Sequence, residues 1–156
     1  MYGMTTKTIK SESADALFDL PCACQRLRRL TRIMTRIYDR ELRTAGIEIT
    51  QFGLLTALNK IGNANQKRLS AGFAMDSTTL TRTLSPLIKK GWVQVKPGKD
   101  KRERFLSLTP VGKQQIAEAQ PYWENAEQAL RKELGDSDWK QMREVISRVT
   151  AATVAI

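Results

Sequence analysis

From about Pro21 to Arg43, apolar residues recur at three- and four-residue steps. Leu27, Leu30, Met34, Ile37 and Tyr38 make one stripe, the pattern of an amphipathic helix. Pro21 suits its start and Gly46 its stop. The opposite side carries Arg29, Arg32, Arg36, Arg40 and Arg43. That side reads as a solvated basic face, the usual place for arginine, or as a surface for DNA or an acidic partner. A second helix is predicted over about Thr50 to Asn59, with Thr50 as N-cap and Phe52, Leu54, Leu55 and Leu58 apolar. Gly62 and Asn63 mark a turn. A short third helix covers about Gln66 to Phe73.

The next stretch, Asp76 to Thr109, carries most of the functional signal. Ala74-Met75-Asp76 reads as the turn of a helix-turn-helix, with Asp76 capping the helix that follows. That helix is predicted from Ser77 to Lys90, with Leu80, Leu84, Leu87 and Ile88 as its buried stripe. Pro86 removes a backbone donor inside it and predicts a kink. Two apolar runs follow, Trp92, Val93 and Val95, then Phe105, Leu106 and Leu108. Between them lies a loop with Pro97, Gly98 and five charges, so the pattern is a charged hairpin.

Thr109 and Pro110 are a cap and first helical residue, opening a long helix to about Leu134 that Pro121 should bend. Gly135-Asp136 separates it from a last helix, about Ser137 to Thr150. Trp139, Met142, Val145, Ile146 and Val149 share one side of that helix. The expected fold is mostly α with a small β-hairpin: a winged helix-turn-helix with N- and C-terminal dimerisation helices. Residues 1–20 form a polar tail, 21–48 and 109–156 the helical dimerisation region, and 49–108 the DNA-binding lobe. The terminal helices have apolar faces that the small lobe does not cover, and a second copy of the chain is the simplest cover.

Charge narrows the partner. Lys and Arg number 26 against 16 Asp and Glu, a net +10 over 156 residues. Such an excess favours polyanions, nucleic acid first and anionic membrane second. No apolar run approaches the roughly 18 residues needed to span a bilayer, so no membrane role is expected. There are no histidines, which excludes histidine-based triads and histidine zinc sites. The two cysteines, Cys22 and Cys24, are too near in sequence for an ordinary staple and too few for a zinc site. A reduced, cytoplasmic protein without cofactor is expected. A thiol enzyme would lack a histidine base, so no enzymatic activity is expected.

A polar-tipped helix beside a basic hairpin suits double-stranded DNA, the helix in the major groove and the hairpin at the backbone or minor groove. Ser77, Thr78, Thr79 and Thr81 offer hydroxyls to base edges or phosphates, with simple helix capping as the other use of Thr78 and Thr79. Arg82, one turn along, can donate bidentately to guanine. Lys99, Lys101 and Arg104 can neutralise phosphates.

These residues resemble the MarR family of bacterial transcription regulators over roughly Cys22 to Val149. The resemblance rests on LIKKGWV at the end of the recognition helix, on Asp100 and Arg102 in the wing, on LTPVGK after it, and on TQFGLL at Thr50 to Leu55. It implies a homodimer built from the first and last two helices. It also implies two recognition helices in successive major grooves of a pseudo-palindrome. Arg102 at the wing tip would enter the minor groove, oriented by Asp100. Lys101 stands where relatives often have Arg.

Cys22 and Cys24 sit at the start of the first helix, where the helix dipole, Arg26 and Arg28 favour a reactive thiol. The other reading is two small apolar residues in the dimer interface. The position is similar to the hydroperoxide-sensing branch of the family. There a cysteine at this place faces a tyrosine of the partner, aligned here with Tyr38; a second expected tyrosine is Arg28 here. The resemblance equally implies a small-molecule effector, often an aromatic acid, between the dimer helices and the DNA-binding lobe. The reading is therefore a sequence-specific regulator, a repressor released by ligand or thiol oxidation. The alternative is an architectural DNA binder without sequence preference.

Overall fold

The computed structural model describes residues 21–98 and 103–153. They fall in two compact units divided between Arg36 and Ile37. Six α-helices and three short strands are described: α1 (Ala23–Leu42), α2 (Ile49–Ile61), β1 (Asn63–Asn65), α3 (Gln66–Phe73), α4 (Ser77–Lys89), β2 (Val93–Pro97), β3 (Arg104–Leu108), α5 (Pro110–Leu134) and α6 (Asp136–Thr153). A 3-10 turn over Arg43–Ala45 follows α1. The first unit holds the N-terminal part of α1, and Leu27 and Leu30 of its apolar stripe are exposed there. The second unit holds everything from Ile37 onward.

Its core is a leucine cluster. Leu42, Leu54, Leu55, Leu58, Leu69, Leu80, Leu84, Leu87 and Leu106 are all at most 2% exposed. They come from α2, α3, α4, β3 and the end of α1, so these elements share one interior. Burying each such side chain contributes about 1.5–3 kcal/mol.

The sheet departs from the expected hairpin. A third strand, β1, pairs antiparallel with β3, giving the order β1-β3-β2. Ala64 lies opposite Leu106 and is buried with it. The turn expected at Gly62-Asn63 is therefore the entry to a strand. An antiparallel edge strand completes hydrogen bonds that β3 would otherwise leave open on that side.

Several boundaries move by a residue or two. Helix α2 begins at Ile49, not at a Thr50 cap. The Ile49 N–H donates to Asp39 Oδ1 at 2.7 Å, and the Glu48 N–H donates to Gln51 Oε1. Glu48 and Gln51 thus form a local capping box, and Asp39 of α1, ten residues upstream of Ile49, adds a further acceptor. Helix α4 runs unbroken through Pro86, which leaves the Arg82 carbonyl without its usual i+4 donor. Ile88, placed in the buried stripe by its spacing, is 39% exposed. Helix α5 holds Pro121 within its 25 residues.

The junction between wing and α5 is tightly built. The Thr109 N–H donates to the Trp92 carbonyl, and the Thr109 hydroxyl donates to the Gly91 carbonyl at 2.6 Å. The same hydroxyl oxygen accepts the Gly112 N–H, capping α5 as expected. A Cβ on Gly112 would overlap the Trp92 carbonyl oxygen and Leu108. Only glycine lets the first turn of α5 approach the wing this closely.

Candidate nucleic-acid interface

Helices α3 and α4 are set by their caps. The Asn65 side chain accepts the Arg68 N–H at 2.9 Å and starts α3. Ala74 ends it in the left-handed region at φ 48°, the one non-glycine with positive φ among the described residues. Asp76 then caps α4, accepting the Thr79 N–H at 2.8 Å and the Thr79 hydroxyl at 2.7 Å. These bonds hold the Asp76 carboxyl below its ordinary pKa. Short polar residues at both starts, and a tight turn between them, fix the angle of α4 against the core.

Leu80, Leu84 and Leu87 bury one side of α4. At about 100° per residue they span an arc of about 60°. The opposite arc, about 140° wide on the same count, carries Ser77, Thr78, Thr81, Arg82, Ser85 and Lys89. All six are exposed. This open surface is polar and cationic apart from Ile88, which falls on the same arc and is 39% exposed.

The predicted site residues divide between this face and its surroundings. Ser77, Thr78, Thr81 and Arg82 share the exposed face. The Thr81 hydroxyl donates back to the Ser77 carbonyl at 2.7 Å. Thr79 is half-buried and its hydroxyl is taken by Asp76, so its local role is capping rather than surface contact. Arg104 lies exposed at the start of β3, opposite Pro97. Lys99, Asp100, Lys101 and Arg102 lie outside the described residues. On either side of them, the Gly98 N–H donates to the Glu103 carbonyl at 2.7 Å.

Two further residues belong to this surface. Ser85 and Lys89 continue the row Ser77, Thr81 at four-residue steps, a signal that spacing alone could have supplied. Lys96 is exposed on β2 but pairs with Phe105, so it lies on the opposite face of the hairpin from Arg104. Between α4 and the wing a groove of about 370 Å³ is lined by Leu84, Ile88, Val95 and Leu106, with Lys89 and Arg104 among its polar residues. The exposed side of Ile88 thus forms part of this groove.

The second group of predicted residues separates. Cys22 and Cys24 are both free thiols and both exposed, at the start of α1. Tyr38 is buried, and its hydroxyl donates to Glu127 Oε1 of α5 in the same chain. Burial and this carboxylate push the Tyr38 phenol well above its ordinary pKa, with Arg143 opposing weakly. The hydroxyl that the resemblance aims at a partner's cysteine is already engaged within its own protomer. No group of three or more metal-ligating side chains occurs among the described residues. No described helix is long and apolar enough to cross a membrane.

A helix-turn-helix with a polar exposed helix, followed by the two strands of a wing, defines the class of winged helix-turn-helix regulators. Residues 47–103 match the MarR family. The chain is similar to two regulators of Bacillus subtilis strain 168. With the HTH-type transcriptional regulator YxaD it shares 30% identity over 116 residues, 73% of this chain and 80% of that one. With YwoH it shares 29% over 107 residues, 69% and 78% of the two chains. Among solved structures, the Mycobacterium tuberculosis transcriptional regulator MosR, in complex with DNA, superimposes at TM-score 0.76 with 32% identity. That match covers 86% of this chain and 97% of that chain. A Cys-to-Ser mutant of Escherichia coli MarR, complexed with operator DNA, matches in fold at TM-score 0.72 and 23% identity, covering 79% and 89%. The chain belongs to the MarR family of transcription regulators.

Proposed function

We propose that the chain is a homodimeric repressor that binds double-stranded DNA at a pseudo-palindromic site. The observation that carries this reading is the face of α4. Ser77, Thr78, Thr81 and Arg82 are exposed opposite the buried leucines, a set of donors and acceptors suited to base edges in a major groove. Lys89 and Arg104 flank it with charge for phosphates. The similarity to MosR, whose structure holds DNA, supports the same use here. By the family resemblance, Lys99, Lys101 and Arg102, with Asp100, are further candidates for DNA contact.

Val145, Ile146 and Val149 on α6 are 45–47% exposed in the single chain. Such a row on a terminal helix supports a second copy as its cover. Release from DNA follows from an effector that changes the separation of the two recognition helices, because a dimer reads half-sites at a fixed spacing. The effector is an aromatic acid or an oxidant. The exposure of Cys22 and Cys24 favours the oxidant, and Cys24→Ser should then abolish release by peroxide.

Fluorescence anisotropy tests the reading, with duplex from the region upstream of the chain's own coding sequence against a scrambled duplex at two salt concentrations. Preference for the upstream duplex by about a thousandfold or more is expected of a specific regulator. Equal binding that collapses with salt, repeated across candidate operators, favours an architectural binder instead.

A further inference from the structure

Helix α1 has two opposed faces. Leu27 and Leu30 lie on one, 51% and 40% exposed. Arg28, Arg32 and Arg36 lie on the other, at four-residue steps, and all three are exposed. Each step advances about 6 Å and turns about 40°, so the three guanidinium stems form a gently winding row about 12 Å long. No acidic residue lies between Ala23 and Tyr38, and Asp39, which follows Arg36 by three positions on the same side of α1, gives its Oδ1 to the Ile49 N–H. The apolar face is the one that gains by being covered. Covering it with a second copy leaves the arginine face outward.

We propose that Arg28, Arg32 and Arg36 form a second, sequence-independent contact surface for the phosphate backbone of duplex DNA, in addition to the recognition surface on α4. The row favours phosphates over an acidic protein. Arginine presents a planar fork that pairs bidentately with phosphate oxygens. Protein partners are anchored by buried aromatic and aliphatic groups, and no apolar residue falls within the arc that the three arginines define. A regularly spaced, purely cationic row is what a repeating polyanion needs, and counterion release supplies the affinity. The phosphates come either from the flank of the duplex held by α4 or from a second duplex. The proposal rests on the chain being a DNA binder, so its test carries a control for that reading.

The experiment is an anisotropy titration of the full chain against random-sequence duplex over a series of salt concentrations, in short and long duplex versions. The proteins are wild type, the triple variant Arg28→Gln, Arg32→Gln, Arg36→Gln, the corresponding triple lysine variant, and Arg82→Ala as the control. Glutamine and lysine keep helix propensity close to that of arginine.

The glutamine variant should lower the salt slope by about 0.9 for each phosphate it no longer neutralises, and the lysine variant should keep most of the slope. Arg82→Ala should instead weaken the preference for the upstream duplex over a scrambled one. A reduced slope on the long duplex alone places the row on the flank. Loss of bridging between a tethered and a free labelled duplex places it on a second molecule. An unchanged slope in the glutamine variant overturns the proposal, whatever Arg82→Ala does. So does loss of binding to a Glu-rich peptide with the DNA slope intact, which would assign the row to an acidic protein. Should the triple variant fail to fold, Arg32→Gln alone carries the same test through a slope change of about 0.9.

Discussion

Asp76 holds Thr79 twice, by its backbone N–H at 2.8 Å and by its hydroxyl at 2.7 Å. One carboxylate therefore both starts the recognition helix and ties up a threonine hydroxyl that the surface would otherwise offer. Asp76 is fully exposed, and hydrogen bonds to Thr79 are what hold its carboxyl below the ordinary value of 3.8. A depressed folded pKa stabilises the fold above the unfolded pKa, and that contribution disappears as pH falls through the folded pKa. Asp76→Ala should lower the melting temperature at neutral pH and flatten its fall in acid below about pH 4. Melting curves of both proteins across that range check this. Equal melting temperatures at neutral pH would show that the cap contributes nothing.

Arg82 and Lys89 share the exposed face of α4 but should fail differently. Arg82→Ala should cost about 1–3 kcal/mol against the preferred duplex and little against a scrambled one, as removal of a bidentate base contact does. Lys89→Ala should weaken both about equally and reduce the salt slope by about 1. Anisotropy against the two duplexes distinguishes them. The reverse assignment would place Arg82 on the backbone.

Gly112 packs its Cα against the Trp92 carbonyl at the root of the wing. Gly112→Ala should destabilise by about 1–3 kcal/mol, the usual cost of overpacking. It should also tilt β2 and β3 relative to α4. The check is a denaturant titration together with DNA affinity. Unchanged stability would mean that α5 can shift to make room.

The buried Tyr38 hydroxyl donates to Glu127 across 89 positions of sequence. Its folded pKa is raised above the ordinary 10.0, so its stabilisation is present below that value and is lost as pH rises through the higher folded pKa. Tyr38→Phe should cost about 1–3 kcal/mol by leaving the Glu127 carboxylate without its donor. Alkaline spectrophotometric titration should show as many tyrosines ionising in Tyr38→Phe as in wild type, until the protein unfolds. One fewer in the variant would show that Tyr38 ionises freely.

The helices, the caps at Asp76 and Thr109 and the wing strands were legible in the sequence because each rests on local chemistry. Thr109, Pro110 and Asp76 are short-range signals, and α3 follows from residues adjacent to it. What stayed hidden depends on partners far along the chain. Strand β1 is three residues long, too short for a period, and exists because β3 offers Ser107, Leu106 and Phe105 as an edge. The Ile49 N–H at the start of α2 finds its acceptor on Asp39, which no local pattern marks. Ile88 fits the buried stripe by spacing, yet its side of α4 opens onto the groove beside Val95. The polar row on α4 was legible through Thr81 and Arg82. Its extension to Ser85 and Lys89 was equally local. Thr79 and Tyr38 needed the structure, since only their hydrogen bonds separate capping and burial from surface contact.

The central claim is sequence-specific recognition of duplex DNA by a pair of α4 helices. Selection of bound duplexes from a random library, read by sequencing, tests it most directly. The account predicts one enriched motif of two inverted half-sites with centres about one helical turn, roughly 10 base pairs, apart. It also predicts that Arg82→Ala relaxes the same position in each half. A library that emerges without an enriched motif, at a salt concentration where the protein still binds, would contradict it.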